Sequence, residues 1–395
     1  MTWALPCFPT ATVKSSGAVL PRARRTATLS RAQSRSAARY RIMSGAILKK
    51  PKSKPARHAA KPQRSHFNGT TLDEVAATAG VSSATVSRFF NSPKMLTADT
   101  AQRVRDAVKQ IGYVPNLLAG GLASSRSRLI AAAIPAISQS IFSSTIQALT
   151  DSLADEGYSV MLGLTGTADE HVQRQLLSII GRRPDGIILT GTMLDAAARK
   201  QLKATGIPTI ETWDLPDDPI DLVVGFSHQA VGVAVAHRAL ALGRRHALVV
   251  SATGVRALAR RYSFARTMLE SGAREPIVST FTGPTTYGRA RRAVAAHLDS
   301  RQRTDLIVCS SDWGAHGVLD ELRQRAVRVP EDIAVIGFGD LDFASELNPS
   351  LTTVKIDGAV MGKHAARFLM LRARGQRIEQ PLVDIGFSLI VRQSG

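Results

Sequence analysis

Short apolar runs that alternate with longer amphipathic stretches dominate the chain from Leu129 onward. Six of these runs read LIAAAIP, SVMLGL, GIILTG, HALVVSA, DLIVCSS and DIAVIGF. Continuous apolar runs of this length are typical of strands buried on both faces, as in a parallel sheet covered by helices. The stretches between them have helical length, for example at Ser144–Glu156, Glu170–Ile180, Ala230–Leu242 and Tyr287–Leu298. We therefore predict an α/β fold with parallel sheets.

A mostly polar set of residues follows several of the predicted strands. Its members are Pro135, Ser138, Gln139, Thr165, Ser310, Ser311 and Asp312. In open α/β sheets, ligands bind beyond the carboxyl ends of the strands. This placement predicts a binding site for a small polar ligand.

A separate helical region precedes the sheets. Its three predicted helices lie at about Leu72–Ala79, Ser82–Phe90 and Ala98–Ile111. Thr71 and Glu74 have the spacing of a capping box, and Ser82 is placed to cap the second helix. The start of that helix offers short hydroxyl side chains, which suit phosphate oxygens, and Arg88, which could bind guanine. The pattern alone leaves two interpretations open, a structural helical hairpin and a DNA-reading helix–turn–helix.

The formal net charge of +20 is concentrated at the start of the chain. The first 68 residues hold 15 Lys or Arg residues and no Asp or Glu. This composition predicts a disordered basic extension that adds non-specific affinity for DNA phosphates. An organelle transit peptide, or translation that begins at Met43, remains an alternative. Cys7 and Cys309 are too far apart for a disulfide framework or a zinc site, which favours a reducing cytoplasm.

The sequence lacks the short motifs of the enzymes that share an α/β fold. We find no GxxxxGK[ST] loop, no GxGxxG after a strand and no GxSxG nucleophile turn. We therefore predict no enzyme, no cofactor and no metal site. A secreted solute-binding protein would need a signal peptide and no helical domain. The first residues, with Pro6 and Pro9, make a poor signal, and no apolar stretch is long enough to span a membrane.

Several further segments occur in a fixed order, namely TLDEVAATAGVSSATVSRFFN, IGYVPN, CSSDWGAHGVLDELRQRAVRVPEDIAVIGFGD and NPSLTTV. From about Thr70 onward they resemble the DNA-binding signature, the hinge junction and the effector-domain blocks of the LacI/GalR family of bacterial transcription regulators. Within the family, IPTIETWDLPDDPIDLVVGF and DIGFSL are most similar to the repressors of gluconate utilisation. Simple sugars, nucleosides and other sugar acids, phosphorylated ones included, are the competing effectors.

The resemblance implies a three-helix helix–turn–helix domain and a two-lobed effector domain similar to periplasmic binding proteins. The implied organisation is a basic extension at 1–68, a DNA-binding domain at 69–114, a hinge at 115–127 and an effector-binding and dimerisation domain at 128–395. It further implies a homodimer on pseudo-palindromic operator DNA, without a membrane partner, in the bacterial cytoplasm at the nucleoid.

Position within the family's motif implies the DNA contacts. Base contacts fall on Ser83, Ala84 and Arg88, and a minor-groove wedge falls on Leu122. The implied phosphate contacts are Thr71, Ser82, Thr85, Ser87 and Asn91. Because Ser83 and Ala84 are short, we expect Arg88 and the shape of the DNA to supply most of the specificity.

The effector site is implied in the same way. Arg260 falls where the family's effector-binding arginine lies, and a guanidinium suits a carboxylate. Asp312 matches an aspartate that binds ligand hydroxyls. The other candidates follow two strands and are Ser138, Gln139, Phe142, Glu211 and Asp214. Three alternatives remain: Arg261 could face inward instead of Arg260, Asp312 could cap a helix, and Glu211 could lie in an exposed loop.

Overall fold

A computed structural model describes residues 69–115, 126–166, 169–191 and 194–395 of the chain. The predicted basic extension at 1–68 lies outside the described residues, as does most of the predicted hinge, including Leu122. In the part of the chain that the structure covers, no helix has the length and apolar character needed to span a bilayer.

Three helices form the first domain. They are α1 (Leu72–Ala79), α2 (Ser83–Asn91) and α3 (Ala98–Ile111), with a single 3-10 turn at Pro93–Met95. Val75, Val86 and Val104, one from each helix, are fully buried and form the centre of a small apolar core. Their burial holds α1 and α2 together across the tight turn between them.

The predicted helix starts of this domain are confirmed. The Thr71 hydroxyl accepts the backbone N–H of Glu74 while the Glu74 carboxylate accepts that of Thr71, which completes the capping box. Ser82 caps α2. Gly80 ends α1 in the left-handed region, at φ +62°, a conformation that favours glycine at a helix C-terminus. Local side chains therefore fix both sides of the turn.

The rest of the described chain is built around two six-stranded sheets. The strands of the first are β1 (Leu129–Ile134), β2 (Ser159–Leu164), β3 (Gly186–Thr190), β4 (Thr209–Thr212), β5 (Leu222–Gly225) and β11 (Leu382–Asp384). Those of the second are β6 (Ala247–Ala252), β7 (Ile277–Phe281), β8 (Leu306–Cys309), β9 (Ala334–Gly339), β10 (Thr352–Lys355) and β12 (Ser388–Ile390). The six apolar runs predicted as strands coincide with β1, β2, β3, β6, β8 and β9.

The strand order defines two lobes that the chain enters more than once. The first sheet runs β11-β5-β4-β3-β1-β2 and the second β12-β10-β9-β8-β6-β7. All neighbouring strands are parallel except β10 and β12. The chain crosses between the lobes after β5, after β10 and after β11. The predicted two-lobed α/β fold is confirmed.

Helices cover both sheets. Those of the first lobe are α4 (Ser143–Ala154), α5 (Asp169–Ile180), α6 (Ala196–Thr205) and α11 (Gly358–Ala373). Those of the second are α7 (His228–Ala241), α8 (Val255–Glu270), α9 (Tyr287–Asp299) and α10 (Asp312–Gln324). One apolar core extends through both lobes, with Leu149, Phe226 and Ile336 fully buried in it. The carboxyl ends of the central strands are left to line a cleft.

Candidate DNA-reading surface and effector cleft

The first turn of α2 presents small polar side chains around an exposed surface. Ser82 Oγ accepts the backbone N–H of Thr85 at 3.2 Å and lies 2.9 Å from Thr85 Oγ1. Ala84 and Arg88 are exposed on the same helix. The start of α2 therefore presents the hydroxyl groups of Ser82 and Thr85, the methyl group of Ala84 and one long cationic side chain, that of Arg88.

Two of the predicted contact residues have hydrogen bonds that limit what they can do. Ser83 Oγ donates to Asp73 Oδ1 at 2.5 Å, so its proton is used and its lone pairs remain as acceptors. Asn91 Nδ2 donates to the carbonyl of Ser87 at 2.9 Å and lies 3.3 Å from Ser87 Oγ. Asn91 and Ser87 therefore form one unit at the end of α2.

The cleft lies between the two lobes. On the first lobe, Ser138 and Gln139 follow β1 and lead into a 3-10 turn at Ser140–Phe142. On the second lobe, Trp313 at the start of α10 donates from Nε1 to Ser140 Oγ at 3.3 Å. This bond joins the lobes at the cleft and places Ser138 and Gln139 beside it.

A row of aromatic side chains extends from one lobe to the other. The Phe142 and Trp213 rings lie 5.1 Å apart, Trp213 and Phe226 5.9 Å, and Phe226 and Phe338 6.4 Å. The guanidinium of Arg260 lies 4.0 Å above the Phe338 ring, a cation–π distance. Phe142 is thus a buried wall residue, and Arg260 faces the cleft.

A buried histidine positions Arg260. Arg260 Nη1 lies 2.9 Å from His228 Nδ1, and His228 Nε2 lies 2.9 Å from the carbonyl oxygen of Trp213. Because arginine only donates, Nδ1 accepts and Nε2 carries the proton. Burial, together with the charges of Arg260 and Arg256, lowers the pKa of His228 to about 2, so the ring is neutral. Arg261, the alternative inward arginine, lines a small cavity between α7, α8 and the second sheet, and Arg260 lines the same cavity.

An ion pair that the sequence did not predict joins the lobes beside Arg260. Arg256 Nε lies 3.1 Å from Asp214 Oδ2. Asp214 follows β4 in the first lobe, and Arg256 lies one helical turn before Arg260 in α8. The spacing of four residues on one helix could have identified Arg256, because such residues share a face. A Cβ on Gly225 would lie 1.9 Å from the Asp214 carbonyl oxygen, so this loop requires glycine at that position.

Asp312 is fully buried at the base of the cleft. Its Oδ1 accepts Thr353 Oγ1 at 2.6 Å and its Oδ2 accepts the Leu341 N–H at 2.8 Å. Burial raises the pKa of Asp312 to about 6, and the nearby charge of Asp340 acts in the same direction. Ser311, and not Asp312, caps α10, because its Oγ accepts the Gly314 N–H at 3.1 Å. The alternative of a capping Asp312 is therefore wrong.

Glu211 requires a correction. It lies within β4 and is buried, so the alternative of an exposed loop is wrong. Its Oε1 lies 2.6 Å from Arg199 Nη1 in α6, and its Oε2 accepts the Ile220 N–H at 2.7 Å. Because its charge is paired with Arg199 and Oε2 accepts bonds from both Arg199 and Ile220, the geometry does not support the expectation that Glu211 binds the effector. Across the described ranges, no group of three or more His, Cys, Asp or Glu side chains is placed to hold a metal ion.

Comparisons with known proteins fit this two-part arrangement. A family model for bacterial regulatory proteins of the lacI family matches residues 71–116, and one for the periplasmic binding protein-like domain matches residues 236–395. The HTH-type transcriptional regulator GntR of Pseudomonas aeruginosa is 32% identical over 326 residues, 82% of this chain and 95% of the relative. The chain belongs to the LacI family.

Further LacI-family relatives agree. The HTH-type transcriptional regulator GntR of Escherichia coli is 26% identical, over 80% of this chain and 96% of its own length. The crystal structure of a LacI-family regulator from Silicibacter pomeroyi superposes with a TM-score of 0.77 at 28% identity, covering 82% of this chain and 99% of that one. The two GntR-type relatives support the resemblance to the gluconate-repressor subgroup. This LacI-family chain is a DNA-binding transcriptional regulator and not an enzyme.

Proposed function

We propose that the chain is a repressor whose binding to operator DNA is relieved by a small sugar acid such as gluconate. The observation that carries the choice of an acid is the pair of guanidiniums in the cleft. Arg256 and Arg260 lie one turn apart on α8, and Asp214 forms an ion pair with Arg256 alone. An excess of guanidinium charge favours an anionic ligand, and the fork of an arginine matches a carboxylate.

The proposed effector contacts are Arg260, together with Arg256 beside it, for the carboxylate and Asp312 for hydroxyl groups. Ser138 and Gln139 supply further polar contacts from the first lobe, and Phe142 belongs to the aromatic wall behind them. Both Asp312 oxygens accept bonds within the chain, and each keeps a lone pair for a ligand hydroxyl. Another sugar, a nucleoside or a phosphorylated sugar acid is the competing effector.

The proposed DNA-reading surface is the exposed face of α2. Arg88 reads guanine, Ala84 contacts a thymine methyl group, and Ser83 accepts a hydrogen bond from a base amino group. Its acceptor role follows from its bond to Asp73. The proposed phosphate contacts are Thr71, Ser82, Thr85, Ser87 and Asn91, and the proposed minor-groove wedge is Leu122. Operator binding would place the chain at the bacterial nucleoid.

We also propose a homodimer, which matches a two-fold operator. Apolar side chains on the outer face of α8 support this proposal. Val255, Leu258, Tyr262 and Leu269 are exposed at helical spacing, and Val278 is exposed on the edge strand β7. A row of exposed apolar residues of this kind marks an interaction surface, and a second copy of the chain is the occupant that a two-fold DNA site requires.

The proposed mechanism is a population shift between two arrangements of the lobes. A ligand that contacts both lobes favours the arrangement in which those contacts are made. In a dimer, this changes the spacing of the two DNA-binding domains and lowers operator affinity by the differential affinity of the ligand for the two states.

Operator binding tests this function directly. Duplexes selected from a random pool by the full chain would be measured by fluorescence anisotropy with gluconate, 6-phosphogluconate or D-glucitol added. We expect gluconate to weaken binding by a factor of roughly 5 to 150, and the neutral polyol to have no effect. Arg88→Ala should bind the selected and unselected duplexes alike. Absence of DNA binding even at low salt would refute the proposed regulatory function. Release of the DNA by glucitol would refute the proposal that the effector is an acid.

A further inference from the structure

The ion pair between Arg256 and Asp214 has an unusual position for a salt bridge. Its partners are 42 residues apart and belong to different lobes, and they meet at the cleft. The side chains are 17% and 28% exposed, so water screens the pair less than it screens a surface salt bridge. The Arg256 guanidinium is therefore held by a carboxylate at the place where an acidic effector would enter.

Asp214 does not balance the positive charge of its surroundings. Arg256 and Arg260 together face its single carboxylate, one oxygen of which also accepts the Leu215 N–H at 2.9 Å. The other nearby carboxylate, Glu211, is already paired with Arg199. Burial and the charge of Arg256 lower the pKa of Arg260 to about 10, and Asp214 offsets this in part. The second guanidinium therefore still favours a further carboxylate nearby.

The backbone beneath Asp214 is fixed. Trp213 has φ +68°, its indole Nε1 donates to Thr145 Oγ1 at 3.2 Å, and its carbonyl oxygen is bonded to His228. Gly225 packs directly against the Asp214 carbonyl. With the main chain held on these sides, the Asp214 carboxylate can leave Arg256 by rotation of its side chain alone.

We propose that Asp214 competes with the effector carboxylate for Arg256, so that Arg256 selects acids over neutral sugars and Asp214 sets the concentration at which they bind. A carboxylate that enters the cleft exchanges with Asp214: one ion pair breaks and another forms at the same guanidinium. This inference rests on the sugar-acid effector proposed above. It reverses the role expected from the sequence, since Asp214 then opposes binding and does not contribute to it.

Calorimetric titration of the full chain with D-gluconate and with D-glucitol tests the exchange. Asp214→Asn keeps the shape of the side chain and an oxygen for the Leu215 N–H, but it removes the charge. We expect this variant to bind gluconate roughly fivefold more tightly or better, because the ligand no longer displaces a carboxylate, and to bind glucitol as the wild type does.

Two further variants complete the test. Arg256→Gln should bind gluconate more weakly and lose the preference for gluconate over glucitol. Asp332→Asn removes a carboxylate from the Arg328–Asp332 pair, which lies before β9, and should change neither affinity. Thermal unfolding of each variant verifies that it is folded. If Arg256→Gln does not fold, the gluconate affinity of Asp214→Asn alone decides whether Asp214 competes with the effector.

The possible results separate this inference from the proposed function. Weaker binding of both ligands by Asp214→Asn would make Asp214 a hydroxyl ligand and overturn the competition, as would unchanged gluconate affinity. Gluconate binding by Asp214→Asn but not by the wild type would support it. Absence of gluconate binding in every variant would overturn both the competition and the choice of effector. A chain that shows the exchange but binds no DNA would overturn only the regulatory function.

Discussion

Trp213 illustrates how a single residue organises the cleft. Its φ of +68° lies in the left-handed region, which costs a bulky residue about 1–3 kcal/mol. The buried ring offsets that cost by packing between Phe142 and Phe226 and by bonding to Thr145. This conformation turns the chain so that Asp214, the next residue, reaches the second lobe. A strained residue at this point is consistent with a functional role for the loop.

The raised pKa of Asp312 predicts an unusual dependence of stability on pH. Its pKa of about 6 in the folded chain lies above its ordinary value of 3.8, so the folded state holds the proton more tightly than the unfolded state. This contribution to stability is complete below pH 3.8 and is lost as the pH rises through about 6. We expect the unfolding free energy of the wild type, relative to Asp312→Asn, to fall by roughly 2.5 kcal/mol between pH 4 and pH 7.

Urea unfolding of both proteins at several pH values measures this difference, and subtraction cancels the titration of groups common to both. Curves that run parallel from pH 4 to pH 7 would contradict the prediction. A wild type that gains stability relative to the variant as the pH rises would mean that Asp312 is stabilised as an anion.

The location of a residue is predictable where a motif defines its position. The resemblance places Arg260 at the effector site, and in the structure its guanidinium packs over Phe338 and is bonded to His228, while its role stays a prediction. Arg256 was missed, although it lies on the same helical face. Its partner Asp214 is distant in sequence, and only the folded chain brings the two together. The position of Glu211 in the sequence predicts a residue in the cleft. In the structure Glu211 lies within β4 and its carboxylate is paired with Arg199, a contact that the sequence does not reveal.

At the scale of elements, the packing of α7 on α8 depends on one glycine. A Cβ on Gly232 would lie 2.1 Å from Ser263 Oγ and 2.2 Å from the carbonyl oxygen of Arg260. The hydroxyl could rotate away, but the carbonyl belongs to the backbone of α8. Gly232 therefore sets the distance between the two helices that carry His228 and Arg260.

We predict that Gly232→Ala destabilises the effector domain by roughly 3 kcal/mol, because the helices must separate to admit the methyl group. Thermal unfolding measures the loss. Gly288→Ala in α9 is the matched control, since its Cβ would meet only the flexible end of Arg292 at 3.4 Å. Alanine favours a helix over glycine, so the control should be at least as stable as the wild type. Equal losses in the two variants would refute the close-approach argument.

Elements were predictable where the apolar pattern was long. The runs of β1 and β9 each fill six residues, and both were predicted. Strands β11 and β12 have three residues each, too few to establish a periodicity. They form because the neighbouring strands β5 and β10 offer edges to pair with, which is information that lies elsewhere in the chain.

At the scale of the whole molecule, α8 presents three faces with different surroundings. Phe264 and Met268 are buried in the core, and Arg256 and Arg260 line the cleft. The exposed apolar face around Tyr262 forms the proposed subunit contact. Under the proposed function, ligand binding and subunit association would both act on this one helix. No additional structural element would then be needed to couple them.

We predict that Tyr262→Arg converts the dimer to a monomer, because it places a charge on the centre of the proposed contact, where Tyr262 is 66% exposed. Sedimentation velocity measures the mass, and anisotropy with a selected duplex should show weaker binding of the variant. Val391→Arg is the control. It also replaces an exposed apolar residue, but it follows β12, at the sheet edge opposite β7. If Tyr262→Arg stays dimeric, or if both variants lose the dimer, the proposal that the face around Tyr262 is the subunit contact is wrong.

The late strands β11 and β12 have a consequence for synthesis. Each sheet takes an outer strand from the segment between residues 382 and 390, so neither is complete until the ribosome has passed that point. The three-helix domain, by contrast, has its whole core between residues 72 and 113 and can fold as soon as it emerges. Nascent chains stalled between these two points should contain a folded DNA-reading head attached to unfinished lobes.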